Sequence, residues 1–573
     1  MWSKLVVNMA DASVSKLPYD EQYLQLGGRA LIANYFMDLV KTGKMDPRCD
    51  PMGEQNVLMF CTGVLAGTNF TTSHRISVGC KSPLTGGIKE ASSGGYMGKL
   101  LADQGLRMVT VHGLPTDGKL RYLHIGRDGS AELVDAEELR FKGTYDTVDF
   151  MRERYGDSIA VACIGPAGER LYKAASIQIT EFGTLHPSRV AARGGVGALM
   201  GVKGLKAFVI EKPEKPYKVE YVDEEMFKAA AKELNALVAG CAKTDPFHNF
   251  GTVSTIEKTG ANGILPVENF SGKLFKNYKK LGVEEFMSRL AARGGCNKKA
   301  CQPGCLVQCS NVYHDAEGKY LTSGFEYETI ALFGPNCRID DIDKIAEMDR
   351  LCDDMGVDTI EMGTACGVAM DAGKLEWGDA DGVIQLLKDA RDGVGFGTVL
   401  GNGCEAVGLA LGAERIPTVK HQAISGYDPR NTKGTGITYA TCPQGADHTA
   451  ALTMGRAFDD SGRSAQAYAS NKLQVAICFS DSMMCLFAFS HIVPKMHLLA
   501  DMMSGLYGGP KDISRVTAGL GVKTLLTERA FNKLCGFTAE DDKLPEFFLT
   551  QRSAATGAVF DINPVEMEVL FDF

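Results

Sequence analysis

The chain has 573 residues, 45% apolar and 23% charged, enough for several domains around a large buried core. A net charge of −9 excludes a basic nucleic-acid-binding surface and leaves small molecules and proteins as partners. The start, MWSKLVVNMADASV, lacks the layout of a signal peptide, so the 17 cysteines read as thiols of a cytoplasmic protein rather than a disulfide framework.

In chain order, residues 1–210 predict a β-rich domain. The runs NVLMFCTGVL, RISVGCKS, RMVTVHGLP, RYLHIGRDG, SIAVACIG and LKAFVIE are strand-like and separated by Gly and Pro turns, with one early helix in ALIANYFMDLV. Two Gly-rich segments lie within this domain. One carries Arg75, Ser92, Gly94 and Gly95; the other carries Arg189, Val190, Ala192 and Arg193 followed by Gly194 and Gly195. Backbone N–H groups of such turns, with arginines beside them, suit an anion, although neither segment is a P-loop or a dinucleotide fingerprint. Ordinary turns with surface arginines are the alternative.

EKPEKPY, residues 211–217, reads as a linker, after which the pattern turns helical. A mainly helical domain is expected over 211–415 and another over 416–573, giving an α+β multidomain chain. DEEMFKAAAKELNALVAG and DDIDKIAEMDRLCDDMG are its clearest helices, the second ended by Gly356.

ACQPGCLVQCSN places Cys301, Cys305 and Cys309 four residues apart, with Pro303 and Gly304 favouring a loop that enters a helix. Structural zinc would want a second pair of ligands. A cubane cluster, with three thiolates close together and one remote, fits the spacing better; Cys296 and a distant cysteine such as Cys485 are candidates for the fourth position. The last gap is one residue too long for a C-x3-C-x2-C radical-enzyme motif. Beyond the cluster, FEYETIALFGPNC sets Tyr327 and Glu328 beside an apolar run, CDDMGVDTIEMG sets Asp353 and Asp358 around a Gly turn, and GADHT sets Asp447 next to His448. Glu against apolar neighbours and His are acid–base candidates. VAICFSDSMMCLFAFSHIV, residues 475–493, carries Asp481 and His491 and no basic flank, so it reads as a buried helical segment and not a membrane span.

Taken in order, these stretches resemble the tungsten-containing aldehyde:ferredoxin oxidoreductase family over nearly the whole chain, in its bacterial branch. The matching segments are GGRALIANYF, SPLTGG with SSGGYMG, AARGGVGALMG, the cysteine cluster, EYET with ALFGPNC, CDDMGVDTI, DPR with GTGITYAT and GADHT, and DSMMCLF. The resemblance implies tungsten, or molybdenum, held by two molybdopterins, one [4Fe–4S] cluster, and a magnesium bridging the pterin phosphates through backbone carbonyls. Arg75, Ser92, Gly94 and Gly95 match the loop for one pterin, and Arg189, Val190, Ala192 and Arg193 the loop for the other. Asp353, Asp358 and Asp481 match pterin contacts. Cys301, Cys305, Cys309 and Cys485 match the cluster ligands, though the first two stand one residue farther apart than in archaeal members. Where some members carry an E-x-x-H that bridges two subunits through iron, this chain has Glu347 followed by Arg350.

The implied activity is oxidation of a small aldehyde to a carboxylic acid, with Glu328 as general base on water, His448 bonding the aldehyde oxygen and Tyr327 beside them. Electrons would leave to a ferredoxin or a ferredoxin-like small subunit, in a homo- or hetero-oligomer. A tungsten-dependent aromatic acyl-CoA reductase subunit, with Cys337 on the metal, and a non-catalytic pterin or electron-transfer scaffold are the alternatives.

Overall fold

The structure, a computed structural model, describes residues 1–454, 463–509 and 511–568. Two six-stranded sheets build its N-terminal part. The first contains β1 (Ser3–Asn8), β2 (Ser13–Pro18), β3 (Leu58–Thr62), β4 (Ile76–Lys81), β5 (Ile88–Ser93) and β6 (Leu106–His112), in the order β2-β1-β6-β3-β4-β5. The second contains β7 (Arg121–Ile125), β8 (Ala131–Asp135), β9 (Ile159–Cys163), β10 (Ile177–Ile179), β11 (Arg189–Ala191) and β12 (Leu205–Glu211), in the order β11-β10-β9-β12-β7-β8. Strands β1/β6 and β12/β7 pair parallel and the other neighbours antiparallel.

The unbroken apolar runs of β3 and β9 are buried along their whole length, as strands covered on both faces should be. Phe60 and Phe208 meet across the two sheets, ring centroids 5.5 Å apart. The edge strands β5 and β11 also come together, with Gly95 of the loop after β5 against Arg189 of β11 and Gly194 of the loop after β11 against Lys89 of β5. That meeting positions the site.

The remainder is mostly helical, as expected. Glu224–Ala242 starts at Asp223, whose carboxylate accepts from Met226 N, and Ile342–Met355 ends at Gly356 with φ of 78°. One apolar cluster packs Ile330, Met348, Val368, Val407 and Phe548 together, from widely separated parts of the chain.

Two local expectations are corrected. Residues 300–309 form a loop between β13 (Cys296–Lys299) and β14 (Ser310–His314), so the cysteine loop enters a strand, not a helix. Gly304 and Gln308 adopt φ of 72° and 53°, which winds the loop back on itself. The apolar run 475–493 is broken as well: Arg463–Asp481 stops, Leu486–Ile492 starts, and the two helices are bent by 111°. Backbone pairing to residues 64 and 72 replaces helical bonds there, with Val64 N donating to Ser482 O and Cys485 N to Thr72 O. Among the described residues no single helix is long and apolar enough to cross a membrane.

Candidate functional site

The two sheet edges and the helical part enclose two adjoining cavities of 390 and 270 Å³, which share Arg75, Ser92, Val190, Ala192, His448 and Cys485 as walls. Arg75, just before β4, donates from Nε to Ser92 Oγ on β5 at 2.8 Å and reaches Cys485 Sγ from Nη1 at 3.9 Å. Gly94 presses directly on the cysteine loop, since a Cβ there would lie 2.9 Å from Cys301 Sγ. Gly95 N donates to Cys301 O at 3.0 Å. The first Gly-rich loop is thus both a cavity wall and the seat of the cysteines.

On the other edge, Arg189 lies between Glu181 at 3.8 Å and Glu326 at 3.7 Å, which hold it charged against its burial. Its Nε and Nη2 have no hydrogen-bond partner although buried. Its guanidinium covers Gly324, φ 65°, so closely that no side chain fits at 324. Arg193 is fixed by Asp358 Oδ2 at 3.2 Å, by Glu361 at 3.7 Å and by the carbonyls of Ala446 and Ala423. Asp358 also caps the helix Thr359–Asp371 by accepting from Ile360 N. Asp353 lines the larger cavity, and burial beside Asp349 pushes its carboxyl well above the usual range.

Cys301, Cys309 and Cys485 line the larger cavity, with Cys305 hydrogen-bonded to Cys301. That bond, assisted by Arg189 and Arg75, holds the Cys301 thiol below its ordinary value against burial. Cys485 is pushed up by burial, with Arg75 opposing. Among the described residues no three Cys, His, Asp or Glu side chains close on a point that would suit a single metal ion. A four-iron cluster would ask for something else: thiolates placed around a larger body.

Also lining this cavity, Glu328 is in the first turn of the helix Tyr327–Phe333. Its Oε2 accepts from Gly426 N at 2.7 Å, and its Oε1 is 3.3 Å from His448 Nε2 without a bond of good geometry to any group. Burial raises the Glu328 carboxyl, with His448 and Arg193 pulling the other way. Tyr327 is committed elsewhere: its hydroxyl donates to Gly426 O at 2.6 Å and holds the loop that holds Glu328. Cys337 lies in the helical core, with its thiol on the carbonyls of Leu332 and Gly363. It is not among the walls of either cavity. Arg350 stacks on Tyr145 at 3.3 Å and Glu347 pairs with Lys388 at 3.7 Å, both within the chain.

The smaller cavity contains residues that sequence reasoning missed. Arg29 and Glu528 form a two-pronged pair at 2.8 and 2.8 Å, with Asp481 3.5 Å from Arg29. Lys89 reaches Asp447 at 3.3 Å, and with Arg193 holds that carboxyl low against its burial. Burial and the nearby Asp481 push Glu90 up to about 8, and burial lifts Asp481 to about 6. These groups come from both ends of the chain, and Glu528 is 499 residues from Arg29, so no local motif marks them.

The fit to a large anionic cofactor rests on what is left unpaired. Two nitrogens of Arg189 and one oxygen of Glu90 are buried without partners in cavities big enough for a ligand. Guanidiniums against glycine turns suit phosphate, and three thiols on the cavity wall with a fourth behind them suit iron.

Comparison with known proteins agrees. Residues 4–212 match the family model for the aldehyde ferredoxin oxidoreductase N-terminal domain, and residues 229–571 the model for domains 2 and 3. The tungsten-containing aldehyde ferredoxin oxidoreductase of Pyrococcus furiosus is 32% identical over 468 residues, 78% of this chain and 73% of that protein. Its counterpart from Thermococcus kodakarensis is 31% identical over 467 residues, again 78% of this chain and 73% of the relative. The solved active-site complex BamBC of benzoyl coenzyme A reductase with 1,5-dienoyl-CoA superimposes with a TM-score of 0.80, 18% identity, and coverage of 99% of this chain and 92% of that one. At that identity the likeness is one of fold.

Proposed function

The chain belongs to the aldehyde ferredoxin oxidoreductase family, and from that premise we propose that it oxidises aldehydes to carboxylic acids at a tungsten pterin site and passes electrons to a ferredoxin-type acceptor. Aldehyde and water give carboxylate, two electrons and three protons. A bound tungsten pterin would supply the two-electron change, and one [4Fe–4S] cluster would supply one-electron transfer to a ferredoxin or a small ferredoxin-like subunit.

The observation that carries the reading is the Glu328–His448 pair, 3.3 Å apart in the same cavity as the cysteines. A non-catalytic scaffold has no use for it. Glu328 Oε1, buried and without a well-formed bond, takes a proton from the water that becomes the acid oxygen. His448 donates to the aldehyde oxygen as negative charge grows on it. Arg75, Arg189 and Arg193 would hold pterin phosphates and ring edges, with Asp353, Asp358 and Asp481 on the pterin nitrogens. The carbonyls of Ser92 and Val190 would take the bridging magnesium. Cys301, Cys305, Cys309 and Cys485 would hold the cluster, and Gly94 and Gly95 would keep the wall thin between it and the pterin.

Glu328→Gln tests the assignment. Loaded enzyme should keep its tungsten and iron while kcat falls by about 10²–10⁴-fold. Retained turnover at full metal content would remove Glu328 from the role.

A further inference from the structure

We propose that Ser425 is a positioning residue that fixes His448 in the tautomer carrying its proton on Nε2, the nitrogen that faces Glu328. The proposal rests on the aldehyde-oxidising reading for its consequence, but its geometry stands alone.

Ser425 and Gly426 together hold both members of the acid–base pair. Gly426 N donates to Glu328 Oε2 at 2.7 Å, while Ser425 Oγ lies 3.1 Å from His448 Nδ1 and accepts from the His448 backbone N–H at 3.4 Å. Tyr327 clamps the same peptide from the far side by donating to Gly426 O.

A hydroxyl has one proton and two lone pairs. One lone pair of Ser425 serves the His448 amide. Tyr439, fully buried beside Ser425, makes no well-formed hydrogen bond and does not hold the Ser425 hydroxyl. The Ser425 proton therefore has Nδ1 at 3.1 Å as its acceptor, so Nδ1 accepts and the ring proton is on Nε2.

Among the described residues, the other group near Nδ1 is Asp447, whose Oδ1 stands 3.9 Å away. That oxygen already accepts from Thr449 N at 3.0 Å and Thr449 Oγ1 at 2.7 Å, and Oδ2 serves Lys89. With Glu328 ionised, the opposite tautomer would set two lone pairs against each other across the 3.3 Å between Nε2 and Oε1. The assigned tautomer instead offers an N–H to the carboxylate at rest and to the substrate oxygen during reaction.

The test uses full-length protein labelled with [¹⁵N]histidine, with two-bond ¹H–¹⁵N correlation spectra reporting the tautomer and His448→Gln identifying the resonances. Wild type and Ser425→Thr should show His448 protonated on Nε2. Ser425→Ala should show exchange between tautomers and, in loaded enzyme, a kcat lower by roughly tenfold with little change in KM. An Nδ1–H signal in wild type, or a wild-type tautomer in Ser425→Ala, overturns the proposal. Absence of aldehyde turnover in loaded wild type would instead count against the functional reading, with the tautomer still decided by the spectra.

Discussion

Gly94→Ala puts one methyl group between the first Gly-rich loop and the cysteine that it supports. The new Cβ would stand 2.9 Å from Cys301 Sγ, 3.4 Å from Cys301 Cβ and 3.7 Å from Arg189 Cδ. An ordinary carbon contact needs about 3.5–4.0 Å, so the first distance forces a shift. Little can give: Gly95 N is bonded to Cys301 O at 3.0 Å, and β5 is paired to β4 through Ser93. Overpacking of this kind costs about 1–3 kcal/mol. If the strain falls on the thiol, a cluster bound by Cys301 is weakened by roughly 5- to 150-fold. The assay is iron transfer from anaerobic protein to a ferrous chelator. Gly240→Ala, in the helix Glu224–Ala242 where a Cβ meets nothing within 4 Å, is the control and should match wild type. Wild-type iron retention in Gly94→Ala would refute the placement of Cys301 in the cluster.

Two further outcomes follow from the smaller cavity. Arg29→Met strands Glu528 without its two 2.8 Å bonds, and should cost about 3–5 kcal/mol, read as a lower urea midpoint. Arg29→Met combined with Glu528→Met should recover most of that loss, and a double variant as weak as the single would show that the pair is not the cause. Glu90 supplies a pH dependence. Its folded-state value of about 8 exceeds the ordinary 4.5, chiefly through burial, so the folded chain keeps a proton that the unfolded chain releases. Cofactor-free protein should therefore lose stability as pH rises from 4.5 to 8, and Glu90→Gln should flatten that slope. Equal slopes in the two proteins would contradict the assignment.

Much of this was legible in the sequence wherever function is written locally. The β-rich start followed by helices showed in the change from short apolar runs to 3.6-residue periodicity. The Gly-rich segments of Arg75 and Arg193 stood out as candidates, with ordinary turns as the alternative, and folding brings both arginines to cavity walls. What escaped was set by tertiary packing. Arg29 looked like one polar residue in an apolar helix; only folding brings it to Glu528. Ser425 sits in an unremarkable stretch, ISGYD, and acquires its role by touching His448 from 23 residues away. The break after Asp481 was hidden because its backbone bonds go to residues 64 and 72, more than 400 positions earlier by sequence.

The central claim is tested most directly by metal analysis of the chain purified without oxygen from a host able to load tungsten pterin. The account predicts one tungsten and about four irons per chain, with no zinc. Zinc on the cysteines and no tungsten would contradict it.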